Sequence, residues 1–206
     1  ELVPCDGFVS ECTFGLPVYR WKPEEDIHNQ INQWWEKNKI TGHGSLIFAY
    51  SLGKAQRVLA GLDSSIGPIY AHSAVHSFLE HYHNAGIVLP EVKKVDKEKD
   101  FSGAMIIAPP AVEDSSWTKK FKKTKRGFAS GWMAIRGPRR RKNIDRGFIL
   151  SDHADWPGLI DVITGTGAEM VKLTHGNGDA LSRFLGEKGI NASVLNESSF
   201  RQEERD

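Results

Sequence analysis

Apolar runs of strand length alternate along this chain with longer stretches that have helical periodicity. Runs such as "GSLIFAY", "GAMIIAP" and "EMVKLT" are continuously apolar over most of their length, which is typical of strands buried on both faces. The predicted strands are 6–10, 44–50, 68–72, 103–109, 127–133, 146–150, 169–174 and 191–195. The predicted helices are 23–37, 52–62, 74–85, 114–121, 157–163 and 179–188. This alternation predicts the α/β class, with a mostly parallel sheet covered by helices.

The segment "ILSDHADW", residues 149–156, places a histidine between two aspartates directly after one of these strands. Asp155 precedes Trp156 and Pro157, and this order is typical of a helix N-cap followed by proline in the first turn. Capping explains Asp155 but leaves His153 without a structural reason.

Polar side chains follow three of the predicted strands. Glu11 follows "DGFVS", His153 follows "RGFIL" and two more residues, and His175 follows "EMVKLT". Open parallel sheets bind ligands beyond the carboxyl ends of their strands. One helix joins the strands before His153 and His175, so a right-handed crossover would place these strands side by side, about 5 Å apart. We therefore expect both imidazoles to face one crevice, with Glu11 orienting a catalytic histidine. Each histidine alone also fits a surface or structural role.

The 27 Lys and Arg are unevenly distributed, although the net charge is only +1. From Lys119 to Lys142 there are 11 basic residues and no acidic one. The loops "KKFKKTKRGF" and "RGPRRRKN" either are solvated surface or bind a polyanion, with nucleic acid as the leading candidate. The candidate nucleic-acid-binding residues are Arg139, Arg140, Arg141, Lys142 and Lys54. Lys54 lies at a helix start in "AYSLGKAQ", where backbone N–H groups could hold one phosphate, or it belongs to an ordinary strand-to-helix turn.

Composition and cysteine spacing limit the location of the protein. The longest apolar stretch, near residues 104–108, is far too short to cross a bilayer, so we expect no membrane partner. Cys5 and Cys12 stand at the two ends of one predicted strand, about 23 Å apart at roughly 3.3 Å per residue, which is too far for a disulfide. We expect free thiols and a cytoplasmic location.

Taken together, "SECTFGLP", "FAYSLGKAQ", "FASGWM", "SDHADW" and "THG" resemble the motifs of bacterial ligase-associated DNA exonucleases. These enzymes are β-CASP nucleases of the metallo-β-lactamase fold, and the resemblance runs from residue 5 to residue 195. It implies a metallo-β-lactamase segment with motif A at 1–21 and a parallel α/β β-CASP insert at 22–135. The carboxyl-terminal strands and helices of the metallo-β-lactamase fold, with motifs B and C, would follow at 136–195. Residues 196–206 are a polar tail.

The resemblance also implies residue roles. Glu11 matches motif A, His153 motif B and His175 motif C. In such nucleases two zinc ions, or another divalent metal, activate a water that attacks a phosphodiester. His175 would ligate one zinc, His153 would act as general acid at the leaving group, and Glu11 would orient His153. The implied partners are DNA and a DNA ligase.

This sequence departs from the family pattern in its metal ligands. The chain lacks the family's metal-binding signature H-x-H-x-D-H, and nothing in it replaces the further histidine and the bridging aspartate of the family. The resemblance places all of these ligands upstream of residue 1. We therefore expect the 206-residue chain alone to be inactive. Two other interpretations remain open: an RNA-processing nuclease of the same fold, and a non-catalytic nucleic-acid-binding α/β module that acts through its basic loops.

Overall fold

The structure, a computed structural model, describes residues 2–95, 100–135, 137 and 144–195. The chain divides into two compact units. The terminal unit combines Glu1–Trp21 with His153–Asp206, and the middle unit is Lys22–Asp152. Every strand pair formed by the described residues is parallel. The predicted α/β class with parallel sheets is therefore confirmed.

The middle unit is built on a six-stranded sheet with the order β4-β3-β5-β2-β6-β7. Its strands are β2 (Gly44–Phe48), β3 (Ile69–Ala71), β4 (Lys93–Lys94), β5 (Met105–Ala108), β6 (Thr124–Ala129) and β7 (Arg146–Phe148). Its α-helices are α1 (Glu24–Ile40), α2 (Lys54–Ala60), α3 (Ser73–His76) and α4 (Leu79–Asn84). Short 3-10 helices cover Pro110–Val112, Ser116–Lys120 and Gly131–Ala134.

The central strands of this sheet are buried on both faces. All of β2 and β5 is buried, and alternate side chains of β2 enter two separate apolar clusters, Ile47 in one and Leu46 in the other. This burial explains why these strands read as continuous apolar runs rather than as alternating ones. Helix α1 covers one face through residues spaced by one turn, with Trp35 completely buried and its indole N–H donating to the carbonyl of Gly103 at 3.0 Å.

The terminal unit contains a three-stranded sheet with the order β1-β8-β9. Its elements are β1 (Gly7–Cys12), α5 (Trp156–Gly165), β8 (Met170–Gly176), α6 (Gly178–Glu187) and β9 (Asn191–Val194). Apolar side chains of β8, α5 and α6 form its core, among them Val171, Leu173, Leu181 and Leu185. Both cysteines are free thiols. The pKa of Cys12 is raised, mainly by burial of the thiol and to a lesser extent by the negative charge of Glu11.

One predicted strand pairing is wrong. The strands before His153 and His175 do not lie side by side, because β7 pairs with β6 in the six-stranded sheet. Strand β8 has β1 on one edge and β9 on the other, so neither edge is left for β7. The helix between them is α5, and it belongs to the terminal unit with β8.

The second unit boundary also differs from the predicted one. The structure divides the chain between Asp152 and His153, whereas the sequence predicted a division between residues 135 and 136. The difference follows from β7, which hydrogen-bonds to β6 and so belongs to the middle unit. The assignment of the two units to β-CASP and metallo-β-lactamase folds stays a prediction. Residues 196–206, the predicted polar tail, lie outside the described residues. No helix in the described part of the chain is long and apolar enough to span a bilayer.

Candidate active site

The carboxyl ends of β1 and β8 bring Glu11 and His175 to the same edge of the terminal sheet. Glu11 pairs in register with Thr174, but Cys12 pairs with Gly176, so the register shifts at this point. His175 occupies the irregular position, and its φ is 52°, the one positive value among the non-glycine residues described. A bulge at a strand end redirects a side chain, and strained backbone is concentrated at functional sites.

The neighbouring residues fix the backbone of His175. Its carbonyl accepts a hydrogen bond of 3.1 Å from the hydroxyl of Thr13. Gly176 follows with φ 147°, and a Cβ at this position would lie 2.2 Å from the carbonyl oxygen of Cys12. The glycine in "THG" is therefore required by the close approach of the two chain segments.

His153 forms an ion-pair contact with Glu11. Its Nδ1 lies 3.3 Å from Oε2 of Glu11, and the backbone N–H of Thr13 donates to the same oxygen at 2.8 Å. The side chains are 47% and 32% exposed, so the pair is accessible from solvent. A carboxylate at Nδ1 favours the tautomer with its proton on that nitrogen and orients the ring. Proton exchange with a substrate would then pass through Nε2.

The loop that carries His153 is held by the segment that follows Glu11. The indole N–H of Trp21 donates to the carbonyl of His153 at 3.0 Å, and the rings of Phe14 and His153 meet edge to face at 5.8 Å. Asp155 accepts from the N–H of Gly158 at 3.0 Å and from the N–H of Trp21 at 2.8 Å. The predicted N-cap at Asp155 is confirmed, and the same carboxylate also ties the helix start to residue 21.

Sequence reasoning missed Thr13, Phe14 and Trp21 as supporting residues. Thr13 and Phe14 lie two and three residues after Glu11 in "SECTFG", and this proximity is the one local signal that could have found them. The contact of Trp21 with His153 joins residues 132 positions apart. Local periodicity carries no information about a contact of that separation.

Lys54, predicted to contact a phosphate, is buried inside the middle unit. Its side chain is 5% exposed, and its Nζ lies 3.3 Å from Oδ2 of Asp152 and 4.9 Å from the centre of the Tyr50 ring. Arg57 contacts the other oxygen of Asp152 at 3.1 Å and the carbonyl of Ser151 at 2.6 Å. The charge of Lys54 is thus used within the protein, and a phosphate would compete with Asp152 for it. The phosphate contact stays a prediction.

The predicted basic residues Arg139, Arg140, Arg141 and Lys142 lie outside the described residues. Within the described ranges, no group of three His, Cys, Asp or Glu side chains is placed to hold a metal ion. Of the zinc ligands that the resemblance implies, the chain supplies His175 alone, whereas a catalytic zinc needs about three protein ligands. The described residues therefore do not make a complete zinc site.

The fold and the site define an α/β protein with two sheets of parallel strands and a histidine–carboxylate pair at the edge of one of them. No protein-family model matches the chain. A crystal structure of a protein of unknown function from Enterococcus faecalis V583 is similar over 95% of this chain and 51% of that one, with TM-score 0.59 and 12% identity. This likeness concerns the fold. Over 191 residues, or 93% of its length, the chain is 28% identical to a protein from Opitutus terrae named "Probable DNA ligase". The chain spans 19% of that relative.

Proposed function

We propose that this chain is part of a DNA-processing phosphodiesterase, an exonuclease of the β-CASP group that acts together with a DNA ligase. The observation that carries the proposal is the contact of 3.3 Å between Glu11 and His153, beside His175 at the carboxyl ends of β1 and β8. A histidine whose Nδ1 is engaged by a carboxylate is a typical proton donor or acceptor in hydrolysis.

The comparison with the Opitutus terrae protein supports a role on DNA. The matched part is 19% of a protein named a probable DNA ligase, so joining activity is not carried over to this chain. A segment similar to this chain within such a protein supports DNA as the substrate and a ligase as the partner. The motifs "SECTFG", "SDHADW" and "THG" support the nuclease assignment.

Proton transfer by His153 is the chemical step that the described residues support. When a phosphodiester is hydrolysed, the leaving oxygen must be protonated. In the proposed step, Nε2 of protonated His153 donates this proton while Glu11 orients the ring through Nδ1. The backbone N–H of Thr13 donates to the Glu11 carboxylate and so helps to orient it. His175 is proposed as a metal ligand; the metal, when bound, would activate the attacking water.

Substitution in the whole gene product that contains this chain tests these roles. We expect His153→Ala to reduce turnover by about a hundred- to ten-thousand-fold, the usual contribution of general acid–base catalysis, with bound metal unchanged. We expect His175→Ala to reduce both turnover and bound metal. Glu11→Gln should give a smaller loss of turnover than His153→Ala, because the histidine remains but its orientation is weakened. Turnover is measured on a labelled DNA duplex, and metal by elemental analysis.

An exposed histidine provides the matched control. His81 lies on α4 in the middle unit and is exposed, so His81→Ala should leave both turnover and metal content as in the wild type. Equal metal loss in the His153 and His175 variants would contradict the division of roles. Unchanged turnover in His153→Ala, with the protein folded by circular dichroism, would contradict the general acid.

The turnover assay also tests the two alternative functions, an RNA-processing nuclease and a non-catalytic nucleic-acid-binding module. A matched RNA duplex distinguishes an RNA-processing enzyme, because the 2′-OH is the chemical difference between the two substrates. Faster cleavage of RNA than of DNA would replace the proposed substrate. Binding of DNA without cleavage by the whole gene product, with any divalent metal supplied, would favour the non-catalytic module.

A further inference from the structure

The middle unit carries a basic surface made of residues that take no part in the proposed catalysis. It is formed by the lysines at the end of the 3-10 helix Ser116–Lys120 and those between this helix and strand β6. We call it the lysine surface: Lys119, Lys120, Lys122 and Lys123. All four lysines are exposed. The sequence from 119 to 126 has six basic residues and no acidic one. The last two, Lys125 and Arg126, both contact Asp145. The Asp145 carboxylate lies 3.5 Å from the Lys125 ammonium and accepts a hydrogen bond of 2.7 Å from the backbone N–H of Arg126.

The lysine surface borders a cavity of about 310 Å³. Its polar lining comprises Lys120, Lys122, Lys123, Ser102, Thr124 and Asp100. The Asp100 carboxylate already accepts two hydrogen bonds from Ser102, at 2.9 Å from the N–H and 2.7 Å from the hydroxyl. The described lining thus includes three lysines and one aspartate, which gives it an excess of positive charge. Positive charge in a concave site attracts anions more strongly than the same charge on a flat surface.

Packed aromatic rings support these lysines. The ring of Phe121, which is buried, meets Phe101 at 4.9 Å and Trp117 at 4.6 Å. The ammonium of Lys120 lies over Trp117, 4.9 Å from its centre, and 5.5 Å from the centre of Phe121. Lys122 and Lys123 thus extend from a segment whose backbone is held by its neighbours, which lowers the entropy lost when they bind a partner.

The lysine surface lies at the amino edge of the six-stranded sheet. Strand β6 begins at Thr124, and the carbonyl of Lys123 accepts a hydrogen bond of 3.0 Å from the N–H of Gly44 at the start of β2. The six residues of β6 separate this edge from the carboxyl edge by roughly 20 Å, and ligands of parallel sheets usually bind at the carboxyl edge. A ligand of the lysine surface would therefore bind at the amino edge of this sheet, opposite the carboxyl edge where ligands usually bind.

We propose that the lysine surface binds the phosphate backbone of a nucleic acid strand. Consecutive ammonium groups on a supported loop match the regular negative charge of a polynucleotide, and backbone contact needs no particular base. A membrane fits less well, because a surface helix or loop binds lipid through apolar side chains as well as charge. In the described part of the chain, no large exposed apolar residue lies between 100 and 131. The binding goes beyond the proposed hydrolysis and is measurable without turnover.

Salt-dependent binding of the 206-residue chain tests the proposal. Fluorescence anisotropy with a short labelled single-stranded DNA is recorded between about 50 and 200 mM salt. We expect Lys122→Ala/Lys123→Ala to weaken binding at low salt. The slope of log K against log salt should fall by about 1.4, because each lysine that neutralises one phosphate of a single strand contributes about 0.7.

The control variant is Lys93→Ala/Lys94→Ala. These lysines are also exposed and adjacent in the same unit, on the edge strand β4, so the control removes the same charge. The control should keep the wild-type slope. Parallel slopes for all three proteins, or an equal reduction in both variants, would overturn the proposal.

Inorganic phosphate distinguishes a polynucleotide surface from a small-anion site. Titration of phosphate alone should give no saturable binding that depends on Lys122 and Lys123. Saturable phosphate binding that disappears in the Lys122/Lys123 variant, together with an unchanged DNA slope, would overturn the assignment to nucleic acid. Failure of the proposed phosphodiesterase would leave all of these slopes unaffected, because His153 and Glu11 take no part in the measurement.

Discussion

At His175 and Gly176 the backbone adopts conformations that few residues tolerate. Gly176 has φ 147°, and an added Cβ would lie 2.2 Å from the carbonyl oxygen of Cys12. We expect Gly176→Ala to lower the free energy of unfolding by about 2–4 kcal/mol, because it combines a steric clash with backbone strain. Urea denaturation followed by circular dichroism measures the change.

Gly186 provides the control within the same unit. It lies in α6, and a Cβ at this position would have no neighbouring atom within 4 Å. Gly186→Ala should raise the free energy of unfolding by about 0.5–1 kcal/mol, because alanine favours the helix over glycine. Equal losses in the two variants would show that the clash at residue 176 does not determine the effect.

The sequence predicted which residues form the candidate site better than it predicted the contacts that position them. Glu11 and His175 were expected at strand ends, and the parallel pairing of β1 with β8 places them there. His153 was expected to arrive by a crossover between neighbouring strands, which the structure contradicts. It is positioned by Trp21 and Asp155 instead, through contacts 132 and 134 residues apart along the chain. The catalytic roles stay predictions.

Among the elements, long periodic segments were predicted most closely. Helices α1, α5 and α6 differ from their predicted bounds by a few residues at each end. One predicted helix over 74–85 is two short helices, the first of which is capped by the imidazole of His72, which accepts from the N–H of Ala74 at 3.0 Å. Strand β4 was missed because its two lysines show no apolar pattern. Exposed lysines are common on edge strands, where they prevent pairing with another chain.

A charged contact between α1 and α2 predicts how stability depends on pH. The Arg57 guanidinium, which donates to Glu24 at 2.8 and 3.2 Å, holds the pKa of Glu24 below its usual range. Because the folded-state pKa is lowered, the stabilising contribution is present above the unfolded pKa of roughly 4.3. It is lost as the pH falls through the lower, folded-state pKa. We therefore expect the free energy of unfolding to decrease below about pH 4.3, and Glu24→Gln to make that acid limb shallower.

Urea denaturation at several pH values measures the acid limb. Glu25→Gln is the matched control, because Glu25 is exposed in the same helix turn, and it should leave the limb as in the wild type. The effect of Glu24 will be modest, since its side chain is 41% exposed and exposed ion pairs contribute little. Identical acid limbs for wild type and Glu24→Gln would exclude this pair as a source of the pH dependence.

For the whole molecule, the alternation of strand and helix patterns predicted the class of fold, whereas the change in composition did not predict where the middle unit ends. The basic segment after residue 135 marks a change in composition, and the predicted boundary was placed there. After this segment, strand β7 pairs with β6 in the six-stranded sheet, and the middle unit ends only at Asp152. A local shift in composition can mark a loop inside a unit as well as a linker between units. Strand pairing decides between them, and it depends on residues distant in sequence.

The positive charge of the molecule is concentrated in local clusters rather than spread over the whole chain. The net charge of +1 is too small to bind DNA by a general attraction, so any steep salt dependence must come from local clusters. If Arg139, Arg140 and Arg141 each contact one phosphate of duplex DNA, the Arg139→Ala/Arg140→Ala/Arg141→Ala variant should lose roughly three units of the slope of log K against log salt. Fluorescence anisotropy with a short labelled duplex measures this slope.

Three scattered lysines give the control for that experiment. Lys22→Ala/Lys37→Ala/Lys94→Ala removes the same charge from exposed positions that are not clustered in sequence, and it should keep the wild-type slope. Surface substitutions of this kind usually change stability by less than about 0.5 kcal/mol, so both variants should remain folded. If the arginine variant and the wild type gave parallel slopes, these arginines would not belong to the DNA-binding surface. If both variants lost the same slope, net charge rather than the arginine cluster would account for the binding.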